Sequence, residues 1–126
     1  MEMNEIRYSS HDEWVKKIGD NKIQFGISNY AQDKLGDIVF VEMPEVDQEV
    51  EKDESLINVE SVKAVAEVFS PVNGKIIAIN EAIDDTPEMI NESAEEKGWL
   101  LEIEFENESD LDGLMNKSDY DKSKEE

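Results

Sequence analysis

Two short apolar runs, Leu56-Ile57-Asn58-Val59-Glu60 and Ala64-Val65-Ala66-Glu67-Val68-Phe69, are separated only by Ser61-Val62-Lys63. In the first run Ile57 and Val59 alternate with Asn58 and Glu60, the period of a half-buried strand. The second run stops at Ser70-Pro71. Strands joined this closely are most simply an antiparallel hairpin, with Lys63 near its tip. That geometry carries the lysine ammonium away from the protein body on a stiff stalk. A lysine on a turn is ordinarily a solvated surface charge, so the surroundings of Lys63 have to decide its role.

The remaining apolar residues are grouped in the same way. Trp14 to Ile18 and Ile23 to Ile27 are turned by Gly19-Asp20-Asn21, with Ile23, Phe25 and Ile27 on one buried face. Ser28 is placed to cap a short helix carrying Ala31 and Leu35, which Gly36 terminates. A strand from Asp37 to Glu42 follows, closed by Pro44, and an acidic connection from Glu45 to Glu54 leads to the hairpin. Asn73-Gly74 carries the signal of a tight hairpin turn before the strand Lys75 to Ile79. Thr86-Pro87-Glu88 reads as an N-cap followed by proline at the first helical position, opening a short helix through Met89 and Ile90. The last strand runs from Gly98 to Phe105. Ser109 with Asp112 resembles a capping box before Leu111, Leu114 and Met115, which share one helical face. Residues past Ser118 are mostly charged, and Lys122 to Glu126 are expected to fray.

A faint repeat connects these runs. Gly36-Asp37-Ile38-Val39-Phe40-Val41 matches Gly74-Lys75-Ile76-Ile77-Ala78-Ile79, and Ile57-Asn58-Val59-Glu60 matches Leu101-Glu102-Ile103-Glu104. The implied fold is mainly β, with two small pseudo-symmetric sheets closing on one core, short flanking helices and a C-terminal helix. At 126 residues the chain is read as one domain, with a core of about residues 6–116 and a charged tail at 117–126.

Charge narrows the partners. Thirty-three acidic residues against 12 basic ones give a formal net charge of −21, which repels phosphate backbones and anionic lipid surfaces. Nucleic-acid and membrane partners are therefore not expected. With no cysteine there is no disulfide, thiolate nucleophile or cysteine-based metal site. No run reaches membrane-spanning length and the start lacks a signal-peptide core, so the expected location is the cytoplasm, or an organelle matrix where a targeting segment has been removed.

As an enzyme the chain is poorly equipped. It has one histidine, no glycine-rich phosphate loop and no Gly-x-Ser-x-Gly. Acidic runs such as Glu45-Val46-Asp47-Gln48-Glu49 lack the order of a calcium loop, and no metal site is expected. A lysine on a hairpin tip suits a different task, that of a swinging-arm carrier. An exposed tip lets a modifying enzyme single out one of eleven lysines. Acylation removes the charge, so a long apolar arm enters a partner's site without a desolvated ammonium. Tethering also raises the effective concentration of the cargo.

At this point the residues carry a specific resemblance. Glu60-Ser61-Val62-Lys63-Ala64 resembles the lipoylation motif of the glycine cleavage H-protein family. Biotin carriers typically show Met-Lys-Met at this corner, and the lipoyl domains of 2-oxoacid dehydrogenases Asp-Lys-Ala. The match continues through Glu13-Trp14-Val15, Gly26 to Gln32, Leu35 to Pro44, Ser70 to Gly74, Asn80-Glu81-Ala82, Pro87, Asn91 and Gly98-Trp99-Leu100. It implies a barrel-sandwich hybrid of the lipoyl/biotinyl-domain type and a non-catalytic carrier with lipoate on Lys63. Glu60, Ser61, Val62 and Ala64 would form the recognition corner. The arm would take an aminomethyl group from the pyridoxal-phosphate-dependent glycine decarboxylase to the tetrahydrofolate-dependent aminomethyltransferase. Dihydrolipoamide dehydrogenase, with FAD and NAD, would reoxidise it, and lipoate-attachment enzymes would load it. Glu13 and Glu67 match acids near the arm and are candidates for holding its amine end.

Three positions depart from the family pattern. The histidine before Glu-Trp is Asp12, with His11 displaced by one; a Pro-Tyr pair is Ala94-Glu95; and a small residue in the strand entering the motif is Ile57. They leave open an H-like relay protein that donates lipoate to 2-oxoacid dehydrogenase complexes or carries other cargo.

Overall fold

The computed structural model describes residues 1–124. In chain order the elements are β1 (Ile6–Tyr8), β2 (Glu13–Gly19), β3 (Lys22–Ile27), α1 (Asn29–Leu35), β4 (Ile38–Glu42), β5 (Glu49–Val50), β6 (Ser55–Ser61), β7 (Val65–Phe69), β8 (Gly74–Ile79), α2 (Glu81–Asp85), α3 (Met89–Ser93), β9 (Leu101–Phe105) and α4 (Lys117–Ser123). A 3-10 turn occupies Glu108–Leu111.

The strands form two antiparallel sheets, one ordered β1-β2-β3-β9-β8-β5 and the other β4-β6-β7. Their inner faces meet in one core. Val41, Ile57, Val59 and Val68 of the small sheet cluster with Val15, Ile23, Phe25, Ile76, Leu101 and Ile103 of the large one. The fold is thus mainly β, a barrel-sandwich hybrid with short helices at its margins.

The repeat is present in the structure, in a shifted register. β4 pairs with β6 and β8 pairs with β9, and each first strand is bulged at the corresponding residue, Val39 or Ile77. Val41 stands opposite Val59, and its counterpart Ile79 stands opposite Leu101. The structural equivalent of Leu101 is therefore Val59, not Ile57. An alternating pattern repeats every second residue, so a sequence match fixes which face a strand buries without fixing its register.

Several local expectations are corrected. Asn73-Gly74 makes no hairpin, because β7 and β8 lie in different sheets and the segment crosses between them. A Cβ on Gly74 would lie 2.1 Å from the Glu104 carbonyl oxygen, so this glycine serves close strand approach. The acidic connection contains β5, whose Glu49 pairs with Lys75 at the sheet edge. Thr86 is the C-cap of α2, a helix that Asn80 caps through the Ala82 N–H, and α3 begins after Glu88 with no side-chain cap. The proposed capping box at Ser109 is only the 3-10 turn, and Met115 bridges to Tyr8 instead of continuing a helix.

The tail departs most. Asn116 caps α4 by accepting from the Asp119 N–H, and Tyr120 is buried. Lys122 and Ser123 belong to α4 rather than to a frayed end. Glu125 and Glu126 lie outside the described residues.

Candidate functional site at the Lys63 corner

The corner is fixed by Ser61. Its Oγ donates to the Ala64 carbonyl at 3.1 Å and accepts from the N–H groups of Lys63 at 3.3 Å and Ala64 at 3.0 Å. The Ser61 N–H also reaches the Ala64 carbonyl, at 2.8 Å, closing the turn between β6 and β7. Val62 donates its N–H to the Asp37 carbonyl at 3.0 Å, which pins the tip to the start of β4. The backbone of Lys63 is held on both sides while its side chain is exposed. Among the described residues its Nζ has no hydrogen-bond or ion-pair partner.

Gly36 lies beneath that side chain. It has φ of +77°, and a Cβ there would stand 3.5 Å from Lys63 Cε. The left-handed conformation ends α1 and turns the chain into β4. Asn91 of α3 holds this joint by accepting the Ile38 N–H at 2.9 Å and donating to the carbonyl of Gly36 at 2.8 Å and to Gln32 Oε1 at 2.9 Å. A partly buried amide with its donors and acceptor engaged resists rotation, so Asn91 sets the height of the Asp37 carbonyl and through it the tip. The sequence offered Asn91 only as one matching letter. Its partners are 53 to 59 residues away, and no local pattern shows them.

The two candidate acids differ sharply. Glu67 is exposed on the outer face of β7, with Ser55 Oγ 3.4 Å from its Oε1. Glu13 is 1 % exposed and both of its oxygens are engaged, one by Ser9 Oγ at 3.0 Å and the other by the Phe69 N–H at 2.6 Å. Burial pushes its carboxyl up to about 8, although these hydrogen bonds pull the other way. Glu13 therefore fastens β2 to the far end of β7, six residues beyond Lys63. His11 packs on Phe69 with ring centroids 4.5 Å apart and places Nε2 3.5 Å from Asp53. A cavity of about 250 Å³ opens here, lined by Ser9, His11, Glu13, Lys52, Asp53 and Asp110 among others.

The departures from the family pattern are structural in this chain. Asp12 accepts from the Tyr120 hydroxyl at 2.9 Å and pairs with Lys124. Glu95 accepts from the Tyr8 hydroxyl at 2.5 Å and from the Asn29 N–H at 2.8 Å. The Ala94 carbonyl receives Trp14 Nε1 at 2.7 Å, and Ile57 is a core residue.

Known proteins share the sequence and the fold. The family model described as glycine cleavage H-protein matches residues 6–126. The glycine cleavage system H protein of Halalkalibacterium halodurans is 50% identical over 117 residues, covering 93% of this chain and 91% of that protein. Those of Bacillus licheniformis and Staphylococcus haemolyticus are each 48% identical over 117 residues, covering 93% of this chain and 91% and 92% of theirs. A crystal structure of a glycine cleavage system H protein from Mycobacterium marinum superposes with a TM-score of 0.84 at 31% identity, covering 95% of this chain and 96% of that one. With its sequence matched over nearly its whole length and its fold shared, the chain belongs to the glycine cleavage H-protein family.

Proposed function

We propose that Lys63 carries lipoate in amide linkage and that the protein is a non-catalytic carrier in glycine cleavage. The observation that carries this reading is an exposed ammonium, unpaired among the described residues, on a corner whose backbone is fixed by Ser61 Oγ and the Asp37 carbonyl. A fixed backbone beneath a free side chain is what selective acylation of one lysine requires, because the modifying enzyme then meets one geometry. Glu60, Ser61, Val62 and Ala64 form the corner it would grip. When attached, lipoate supplies a dithiolane that accepts the aminomethyl group released as glycine is decarboxylated. The chain itself presents the arm and shelters its end.

The enzymes served are the pyridoxal-phosphate-dependent glycine decarboxylase, the tetrahydrofolate-dependent aminomethyltransferase and dihydrolipoamide dehydrogenase, with lipoate-attachment enzymes upstream. No helix among the described residues is long and apolar enough to cross a membrane. The carrier is proposed to work in the cytoplasm, where those enzymes would be met.

The arm has a natural path along β7. Glu67 lies four residues past Lys63, about 13 Å along a strand, which is within reach of a lysine side chain extended by an octanoyl chain. Glu67 is the exposed acid on β7 along that path. Glu13 is the inner acid, reached only by exchanging its bond to Ser9 or Phe69. If Glu13→Gln and Glu67→Gln leave the hydrolysis rate of the aminomethyl adduct unchanged, this parking role is wrong.

Intact mass after growth with lipoate, followed by a glycine–bicarbonate exchange assay, tests the main reading. The wild-type chain should gain one lipoyl group and support exchange, and Lys63→Ala should do neither. Lipoate passing from Lys63 to another lipoyl domain, with no glycine exchange, would instead establish the relay role.

A further inference from the structure

Four large apolar side chains are left in solvent at one end of the small sheet, around Lys63. Val39 is 55% exposed, Phe40 48%, Val62 70% and Val65 62%. Pairing brings them together: Phe40 stands opposite Glu60, and Glu60 opposite Val65, in one row across β4, β6 and β7. The bulge at Val39 turns that residue outward beside the row, and the Val62 N–H bond to Asp37 lays Val62 over the start of β4. The next outward row is Glu42, Asn58 and Glu67, and Asp37 lies just before β4, so exposed acids border the patch while Glu60 sits within it between Phe40 and Val65. An apolar patch with acids along its edge and one inside it, on a chain of net charge −21, fits a protein face that offers apolar side chains together with lysines and arginines.

Reach decides which protein that is. An enzyme acting on the end of a lipoyl arm is separated from Nζ by the length of the arm and has no need to touch the corner. An enzyme that makes the amide has no arm to bridge the gap, so its own surface must close over the side chains next to Nζ. We propose that Val39, Phe40, Val62 and Val65 are the docking patch of the enzyme that acylates Lys63. The inference rests on the reading of Lys63 as an acylation site. In the step served, the Lys63 ammonium gives one proton to solvent and the neutral amine attacks the carbonyl carbon of an activated acyl donor, an acyl adenylate or thioester. The N–C bond forms, the acyl C–O or C–S bond breaks, and the second proton leaves with the departing group; nothing is oxidised or reduced.

The test uses the full chain, with Phe40→Ser and Val65→Ser made singly and together. Both residues are exposed, so folding is preserved, and thermal unfolding verifies it. Acylation by a purified lipoate-attachment enzyme is followed by intact mass, and binding of the unmodified chain to that enzyme by calorimetry. The expected result is that KM for the acceptor and the dissociation constant each rise about tenfold per substitution, with kcat unchanged, as when an apolar anchor of an interface is removed. Variants lipoylated to completion should still be reoxidised by dihydrolipoamide dehydrogenase within about twofold of wild type, because the docking demand there is relaxed by the arm. Unchanged KM and binding overturn the patch while leaving Lys63 as the acceptor. Equal losses in acylation and reoxidation overturn its assignment to the attachment enzyme, as does a wild-type dimer in sedimentation that the variants abolish. A wild-type chain that is never acylated at Lys63 removes the underlying reading itself.

Discussion

The Tyr120 hydroxyl donates to Asp12 Oδ1 at 2.9 Å, joining residues 108 positions apart. The same hydroxyl is 2.7 Å from Ser28 Oγ, and its ring stacks on Tyr8 with centroids 4.5 Å apart. Tyr8 in turn donates to Glu95. The C-terminal helix is thereby locked onto Asp12 and Ser28 directly and, through the stacked Tyr8, linked to Glu95. Burial is the main reason that both phenols are held well above their usual range, so they remain donors throughout the neutral range.

Tyr120→Phe is expected to cost about 1 kcal/mol of unfolding free energy, the ordinary worth of a lost hydrogen bond. Tyr120→Ala removes the stacked ring as well and is expected to cost about 3 kcal/mol. Urea unfolding of the full chain measures both. Equal midpoints for wild type and Tyr120→Ala would show that α4 does not contribute to the fold.

Glu13 sets a pH dependence of stability. Its carboxyl is raised from 4.5 to about 8 in the folded protein, so the native state binds this proton more tightly than the unfolded state does. The corresponding stabilisation is complete below the unfolded value, near 4.5, and is lost as pH rises through about 8. Glu13→Gln keeps an acceptor for the Phe69 N–H and cannot titrate. Denaturation midpoints across that range should therefore slope less in the variant than in wild type.

Gly74→Ala is expected to be severely destabilising, because its Cβ would meet the Glu104 carbonyl oxygen at 2.1 Å and two paired strands would have to separate. A loss of about 3 kcal/mol is the expected scale for such overpacking. Gly113→Ala, whose Cβ would meet nothing within 4 Å, serves as the control and should change stability little. Thermal unfolding of the pair makes the comparison.

Asn91→Ala should loosen the lysine corner without touching it. It removes the acceptor of the Ile38 N–H and the donor to the Gly36 carbonyl, at a cost of roughly 1–3 kcal/mol for buried groups left unpaired. Amide hydrogen exchange at Ile38 and Val62 should accelerate more than at Ile103 in the core. A uniform change across all three amides would mean that Asn91 supports only global stability.

Partner docking should be salt-sensitive. With 33 acidic residues against 12 basic ones, attraction to a basic partner face weakens as the screening length falls to about 3 Å at 1 M salt. Affinity that stays flat from low to high ionic strength would exclude an electrostatic contribution to docking.

What the sequence determined by itself was the set of local structures whose causes lie within a few residues. The β6–β7 hairpin, the Ser28 cap and the Gly36 stop were legible because alternation, a capping hydroxyl and a left-handed glycine act over one turn of chain. The exposed position of Lys63 at the tip was legible for the same reason, since Ser61 and Ala64 close the turn, whereas the bracing by Asp37 and Asn91 was not. Long-range partners decided the rest. Asn73-Gly74 looks like a turn until the two sheets claim β7 and β8 separately. A charged tail looks frayed until Tyr120 finds Asp12, Ser28 and Tyr8. Glu13 reads as a candidate for holding the arm's amine end, and only the fold shows Phe69 and Ser9 closing over it. Burial and register are properties of surfaces brought together across the whole chain, and only the folded protein fixes which surfaces meet.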